Sequence, residues 1–165
     1  MILLTIENSK DFMGKFLVTD VFDGFELQEA VITTSVSYTI SGRIHPEFFS
    51  EEERASRTNE FISWKEIRPV IFEMIKGRNT PLSFRFTLSL NSAAMNGLIK
   101  KESPEGPSEA LRALVMTVRF ENGAFFIVTG SSYETFVFER EEEKIWDRYL
   151  PAFLAKAGID VTAQQ

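Results

Sequence analysis

Cysteine is absent from the 165 residues, and histidine occurs once, at His45. The first absence excludes disulfides, thiolate nucleophiles and cysteine-ligated metal sites, and it removes any need for an oxidising compartment. The second excludes H-E-x-x-H and every other multi-histidine metal motif. The nine glycines never fall two or four apart. That rules out a G-x-G-x-x-G dinucleotide loop and a G-x-S-x-G nucleophile elbow, and no Walker loop is present either. No apolar stretch approaches the ~18 residues a membrane-spanning helix needs. Positive charge is the scarcer sign, with 18 Lys and Arg against 24 Asp and Glu, a net charge of −6. An average field of that sign repels phosphate backbones and anionic headgroups, so neither a nucleic acid nor a membrane is an expected partner. The opening Met-Ile-Leu-Leu-Thr-Ile-Glu-Asn has no basic segment and only a short apolar run, so it does not read as a signal peptide. A reducing cytoplasm is the expected location, and no cofactor is implied.

What is present is apolar mass with strong periodicity. Hydrophobic residues make up 44% of the chain and 16 of them are phenylalanine, ample for one core. A chain of this length buries roughly 70% of the surface it exposes when unfolded, so one globular domain over residues 1–165 is expected. Leu82 to Leu90 alternates apolar and polar residues without an error. This is the pattern of a strand half buried in an antiparallel sheet. Val115–Glu121, Asn122-Gly123 and Ala124–Thr129 read as a two-residue type I′ hairpin with Phe120 opposite Phe125 and Val118 opposite Ile127. Leu3–Ile6 predicts a short strand. Phe25 to Ile44 reads as one long β segment with Ala30, Ile32, Val36, Tyr38 and Ile40 on one side and a bulge near Glu29. Thr135–Phe138 predicts a further strand beyond Gly130.

Helix starts are marked by caps at Asn8 or Ser9, Ser50, Ser63 and Asn91. Glu53 and Glu66 complete the capping-box spacing for Ser50 and Ser63. A final amphipathic helix carries Ile145, Trp146, Tyr149, Leu150, Phe153 and Leu154 and stops at Gly158. Lys100–Ser108, with Pro104, Gly106 and Pro107, predicts a mobile loop. Hairpin strands with helices set between and after them give an α+β fold, a single antiparallel sheet with helices packed mainly on one face.

Candidate chemistry is sparse. His45, ahead of Pro46, predicts an exposed loop residue. The runs Glu51–Glu53 and Glu141–Glu143 suit the positive ends of two helices, and no pair of acids stands out for acid–base catalysis. Asp20 and Asp23 beside Gly24 are explained by turn formation, and Thr129–Ser132 by a tight connection between strands. The sheet's second face holds most interest. Thr33, Ser35, Ser37, Ser83, Arg85, Thr87, Thr117 and Arg119 are expected on it, and Arg85, Arg119, Thr117 and Ser35 could hold a small anionic ligand. Val115, Phe126 and Val128 fall on the same side, an apolar group that needs covering by a helix of this chain or by a partner. Self-association through them is the leading expectation, with the anion site as the alternative. Phe48 and Phe49 could join such a contact.

Phe22-Asp23-Gly24-Phe25, Glu29 to Thr34, Ser41-Gly42-Arg43, Trp64 to Pro69, Ile75-Lys76-Gly77 and Arg119 to Gly123 resemble an uncharacterised family of small proteins from anaerobic gut Clostridia. The resemblance runs over most of the chain and thins in the 100–108 loop. It implies a bacterial, cytoplasmic protein and carries over no catalytic residue, cofactor or substrate.

Overall fold

In a computed structural model of the chain, which describes residues 1–164, every strand pairing is antiparallel and all strands join one sheet. The elements in chain order are β1 (Leu3–Ile6), α1 (Ser9–Leu17), β2 (Phe25–Thr33), β3 (Ser37–Ser41), α2 (Glu51–Ser56), β4 (Ile62–Ser63), α3 (Trp64–Ile75), β5 (Ser83–Leu90), α4 (Ser92–Glu102), β6 (Leu111–Glu121), β7 (Ala124–Tyr133), α5 (Glu141–Lys156) and β8 (Val161–Gln164). The sheet order is β3-β2-β5-β6-β7-β1-β8, with β4 pairing the start of β2. This is the α+β architecture that the alternating strands and capped helices imply.

The alternation in β5 fixes the sheet's two faces. Phe84, Phe86 and Leu88 are buried together with Ala30 and Ile32 of β2, Met116, Val118 and Phe120 of β6, and Phe125 and Ile127 of β7. Onto that face α1 lays Phe12 and Phe16, α3 lays Trp64 and Ile71, and α5 lays Ile145, Trp146, Leu150 and Leu154, making one continuous core. Aromatic rings interlock through it: Phe16 stacks on Trp64 at 4.5 Å between centroids and meets Phe22 and Phe86 edge-on. Each such contact adds about 0.5–1.5 kcal/mol beyond area burial.

The helix caps stand where the sequence places them. Asn8, Ser50, Ser63 and Asn91 each accept the backbone N–H three residues on, and Ser50 with Glu53 forms the reciprocal box. Asn122 and Gly123 both take positive φ, 52° and 77°, and the hairpin register pairs Phe120 with Phe125 and Val118 with Ile127. The register shift in β2 falls between Leu27 and Glu29.

Elsewhere the chain departs from its local pattern. The segment from Phe25 to Ile44 is a hairpin, turning at 34–36, so Val36 is 54% exposed at the tip and Ser35 lies in the turn, off the sheet face. No Gly or Asn marks that turn. Thr129–Ser132 continues β7 as extended strand paired with β6, so it is not a connection between strands. Residues 134–140 are irregular, and Phe136 and Phe138 project outward, the latter 94% exposed. The segment 100–108 begins as the last turn of α4 rather than as loop. Strands β4 and β8 are too short to carry a periodic signal of their own, and both exist only through their partners β2 and β1.

Candidate functional site

Among the described residues no helix packs on the middle of the sheet's second face, whose side chains there are exposed or half-buried; only toward Glu26 and Ser89 does it become buried. Register arranges that face in rows running across the strands. One row reads Thr39, Val31, Arg85, Arg119, Phe126, Thr5 and Thr162 from β3 to β8. The next reads Ser41, Glu29, Thr87, Thr117, Val128, Leu3 and Gln164. Arg85 and Arg119 are therefore direct cross-strand neighbours, an arrangement that like charges disfavour unless countered. The counter-charges are at hand. Arg85 Nη2 donates to Glu29 Oε1 at 3.2 Å and Arg119 Nη2 to Glu121 Oε1 at 3.1 Å. These two ion pairs carry no net charge between them. Of the residues expected on this face, Thr117 lies beside the arginine pair, while Ser35 does not reach it.

Val128 sits between Leu3 on one side and Thr117 on the other, with Phe126 two positions along the same strand. Val115 faces Gly130, one row further on. These four apolar side chains form a half-buried patch beside the arginine pair. Leu3 joins it only because β1, more than a hundred residues away in the chain, pairs with β7, a contact no local pattern announces.

Beyond Val115 the open face descends into a cleft of about 820 Å³. Its floor is Glu26 of β2 and Ser89 of β5, paired directly across the sheet, with Ala113 of β6 and Ser132 of β7 alongside. Its walls are the 58–61 segment with Arg43 on one side, Arg112 and Glu109 on the other, and the first turns of α4. The strap from Gly42 to Phe61 is held by an isolated bridge between Arg43 and Phe61 and by the Arg43–Glu60 ion pair at 2.7 Å. Arg112 is likewise engaged, 3.0 Å from Glu134.

Glu26 is the unusual group here. It is only 9% exposed, no donor among the described residues bonds its carboxylate, and its oxygens reach solvent only through the cleft. Burial, aided by the nearby Glu60 charge, holds its pKa above the ordinary carboxyl value. Nothing in the local sequence Phe-Glu-Leu distinguishes it from a surface acid; β4, the strap and α4 together enclose it.

On the helical side of the sheet a second set of acids has a structural task. Glu142 accepts from the Ser108 amide at 2.9 Å and from the Tyr133 hydroxyl at 3.1 Å. Glu143 accepts from Ser131 at 2.6 Å, and Asp147 from Thr129. These bonds tie α5 to β7. Burial pushes the Glu142 carboxyl upward, but the Ser108 and Tyr133 donors more than offset it and the net shift is downward. Glu143 is also lowered, first by the Ser131 hydroxyl and then by the Met1 ammonium. Lowered carboxyls contribute stability that is present above their unfolded values near 4.5 and lost as pH falls through the folded ones. Tyr133 is pushed up to about 12 by burial and by the Glu142 charge. Its stabilising contribution is complete below pH ~10 and declines as pH rises toward 12. The difference between the ultraviolet pH titrations of the native chain and Tyr133→Phe isolates this phenol; a midpoint near 10 would contradict the packing described. His45, at the start of the short 3-10 turn Pro46–Phe48, is exposed, as is Phe48.

A family model matches residues 15–162. The chain belongs to DUF5721, a family of unknown function. The match covers β2 to β7, and so the cleft and the central rows of the open face, while Leu3 and the rest of β1 lie outside it. No curated protein and no solved structure matches the chain.

Proposed function

We propose that this member of DUF5721 is a non-enzymatic interaction module that self-associates through the open face of its sheet. The observation that carries the reading is the half-buried patch of Leu3, Val115, Phe126 and Val128 on a face that no helix among the described residues covers there. Two further features support a second copy as the occupant. Seven strands at about 4.8 Å spacing make the face roughly 30 Å wide, and three rows of side chains give a footprint on the order of 600 Å², near the ~800 Å² per partner of standard interfaces. The centre of the face, with Arg85 and Arg119 each paired to a glutamate, is electrically neutral while the whole chain carries −6. Two copies meeting there avoid the like-charge repulsion that other approaches incur. From the family resemblance we take a bacterial, cytoplasmic setting for this role.

The alternative is a small anion held by Arg85 and Arg119 with Thr117 beside them. Their cross-strand placement favours it, but an anion must displace Glu29 and Glu121 from guanidiniums they already engage. Light scattering on a sizing column separates the two readings. Self-association predicts a dimer at high micromolar concentration that Phe126→Glu converts to a monomer of unchanged thermal midpoint. A strict monomer overturns it. A rise in thermal midpoint with phosphate or citrate that disappears when Arg85 and Arg119 are both replaced by methionine selects the anion site instead.

A further inference from the structure

We propose that the cleft at the end of the open face, with the Glu26 carboxylate in its floor, binds a small organic cation presenting a protonated amine or a guanidinium. This stands apart from self-association, since it rests on a different group of residues and a different observation.

Glu26 is pinned from both sides by strand pairing, to Ser63 of β4 and to Ser89 of β5, so its side chain cannot swing away by moving the backbone. The residue is nine-tenths buried and no donor among the described residues bonds its carboxylate, whose oxygens are not sealed from solvent but reach the ~820 Å³ space that the residue lines. A carboxylate whose surroundings are largely desolvated and whose oxygens reach only a cleft depends on water or a ligand in that cleft for its hydrogen bonds. The volume falls inside the ~300–1,000 Å³ range of small-molecule sites and exceeds what a bare ion fills.

The sign of the ligand follows from the charges that remain. Arg43 and Arg112, the only cations lining the cleft, are already neutralised by Glu60 and Glu134. That leaves Glu26 and Glu109, both acids, without an ion-pair partner among the described residues. An anion entering here meets repulsion at the floor and no free guanidinium at the walls. A metal ion is disfavoured as well, because no group of three acids or histidines among the described residues is placed to hold one, and hard cations demand several oxygen ligands. The rest of the lining, including Gln28, Asn59, Ser89 and Asn96, supplies neutral acceptors. An ammonium has three donors and a guanidinium five, so a single carboxylate ringed by amide and hydroxyl oxygens matches either.

The test is a thermal-shift and calorimetric titration of the full chain with spermidine, agmatine and arginine ethyl ester. Sodium chloride at matched ionic strength, maltose and phosphate serve as comparisons. At least one organic cation is expected to raise the thermal midpoint saturably, and none of the three comparison solutes should. Glu26→Gln keeps the side chain's size and is expected to weaken that binding by about tenfold or more, the loss appropriate to a charge-assisted hydrogen bond. Its unliganded midpoint should equal or exceed that of the native chain. Ser132→Leu, which fills the floor of the cleft on β7, three strands away from Glu26, should weaken binding too, and it keeps the test open if the Glu26 variant folds poorly. Failure of all three cations to saturate, undiminished binding by Glu26→Gln, or a response to maltose or phosphate instead would each overturn the proposal. Phe126→Glu should leave cation binding intact, so failure of self-association and failure of this site are distinguishable.

Discussion

Gly42→Ala is expected to lower the midpoint of thermal unfolding by about 6–12 °C, corresponding to a loss of about 3 kcal/mol for an overpacked site in a domain of this size. The reason is a backbone approach. A Cβ at position 42 would lie 1.8 Å from the Leu27 carbonyl oxygen, which is main chain and cannot rotate aside. Gly42 stands where β2 exchanges one neighbour for another: its N–H donates to the Gln28 carbonyl at 2.9 Å and its own carbonyl accepts from Ile62 at 2.8 Å. The bulge between Leu27 and Glu29 brings the two backbones together, and only a residue without a side chain lets them close. Gly14 and Gly97, inside α1 and α4, have open space where a methyl group would stand, with no atom within 4 Å. Alanine at either should stabilise by about 0.5–1 kcal/mol, as expected for a helix interior. Chemical denaturation of the three variants reads both signs in one experiment. A Gly42→Ala protein as stable as the native chain would refute the close approach, and with it the geometry that sets the strap over Glu26.

Trp64→Ala should cost more, about 4 kcal/mol, within the range for deleting a large buried aromatic side chain. The ring is fully buried, stacks on Phe16, meets Phe86 edge-on at 5.5 Å, and donates from Nε1 to the Phe16 carbonyl at 3.0 Å. Removing it opens a cavity between α1, α3 and β5 and leaves that carbonyl unpaired. Trp64→Phe retains much of the ring volume and loses the donor, so it should forfeit about 1–3 kcal/mol. Phe48→Ser and Phe138→Ser, by contrast, alter side chains that lie in solvent, and each should stay within about 0.5 kcal/mol of the native chain. Equilibrium unfolding in urea distinguishes these cases. A Trp64→Ala midpoint close to that of Phe138→Ser would mean that α3 is not anchored as described.

The contrast between Trp64 and Phe138 also marks what can be read locally. Trp64 follows a cap at Ser63 and begins a stripe with the period of a helix, so its burial is written in its neighbours. Phe138 ends an equally apolar Thr-Phe-Val-Phe run that has the composition of a strand, and it is exposed because β7 has already used both of its edges, on β6 and β1. Composition cannot register that an edge is occupied. The same holds for the turn at 34–36, where Thr-Ser-Val carries no conformational marker and the reversal is imposed by the pairing of Thr33 with Ser37.

The residues expected on the second face fared according to their distance from such reversals. Arg85, Thr117, Arg119, Val115, Phe126 and Val128 lie where alternation within long strands puts them, since a period of two leaves a side chain only two directions to point. Ser35 lies elsewhere because the strand ends before it. Nothing in the sequence sets Glu26 apart from the other acids; it is one of 24 acidic residues.

By itself, then, the sequence determined the elements with short-range causes: the alternation of Leu82–Leu90, the Asn122-Gly123 reversal, the capped helix starts, and the division of the sheet into an oily and a polar side. Tertiary structure decided the order of the strands, the arrival of Leu3 beside Val128, the absence of any helix over the open face, and the enclosure of Glu26. The physical reason is that propensity, capping and pleat act over a few residues. Burial of a charge is a property of everything that packs around it, and here those groups come from β2, β5, β6, α4 and a strap whose positions are set only when the whole sheet has closed.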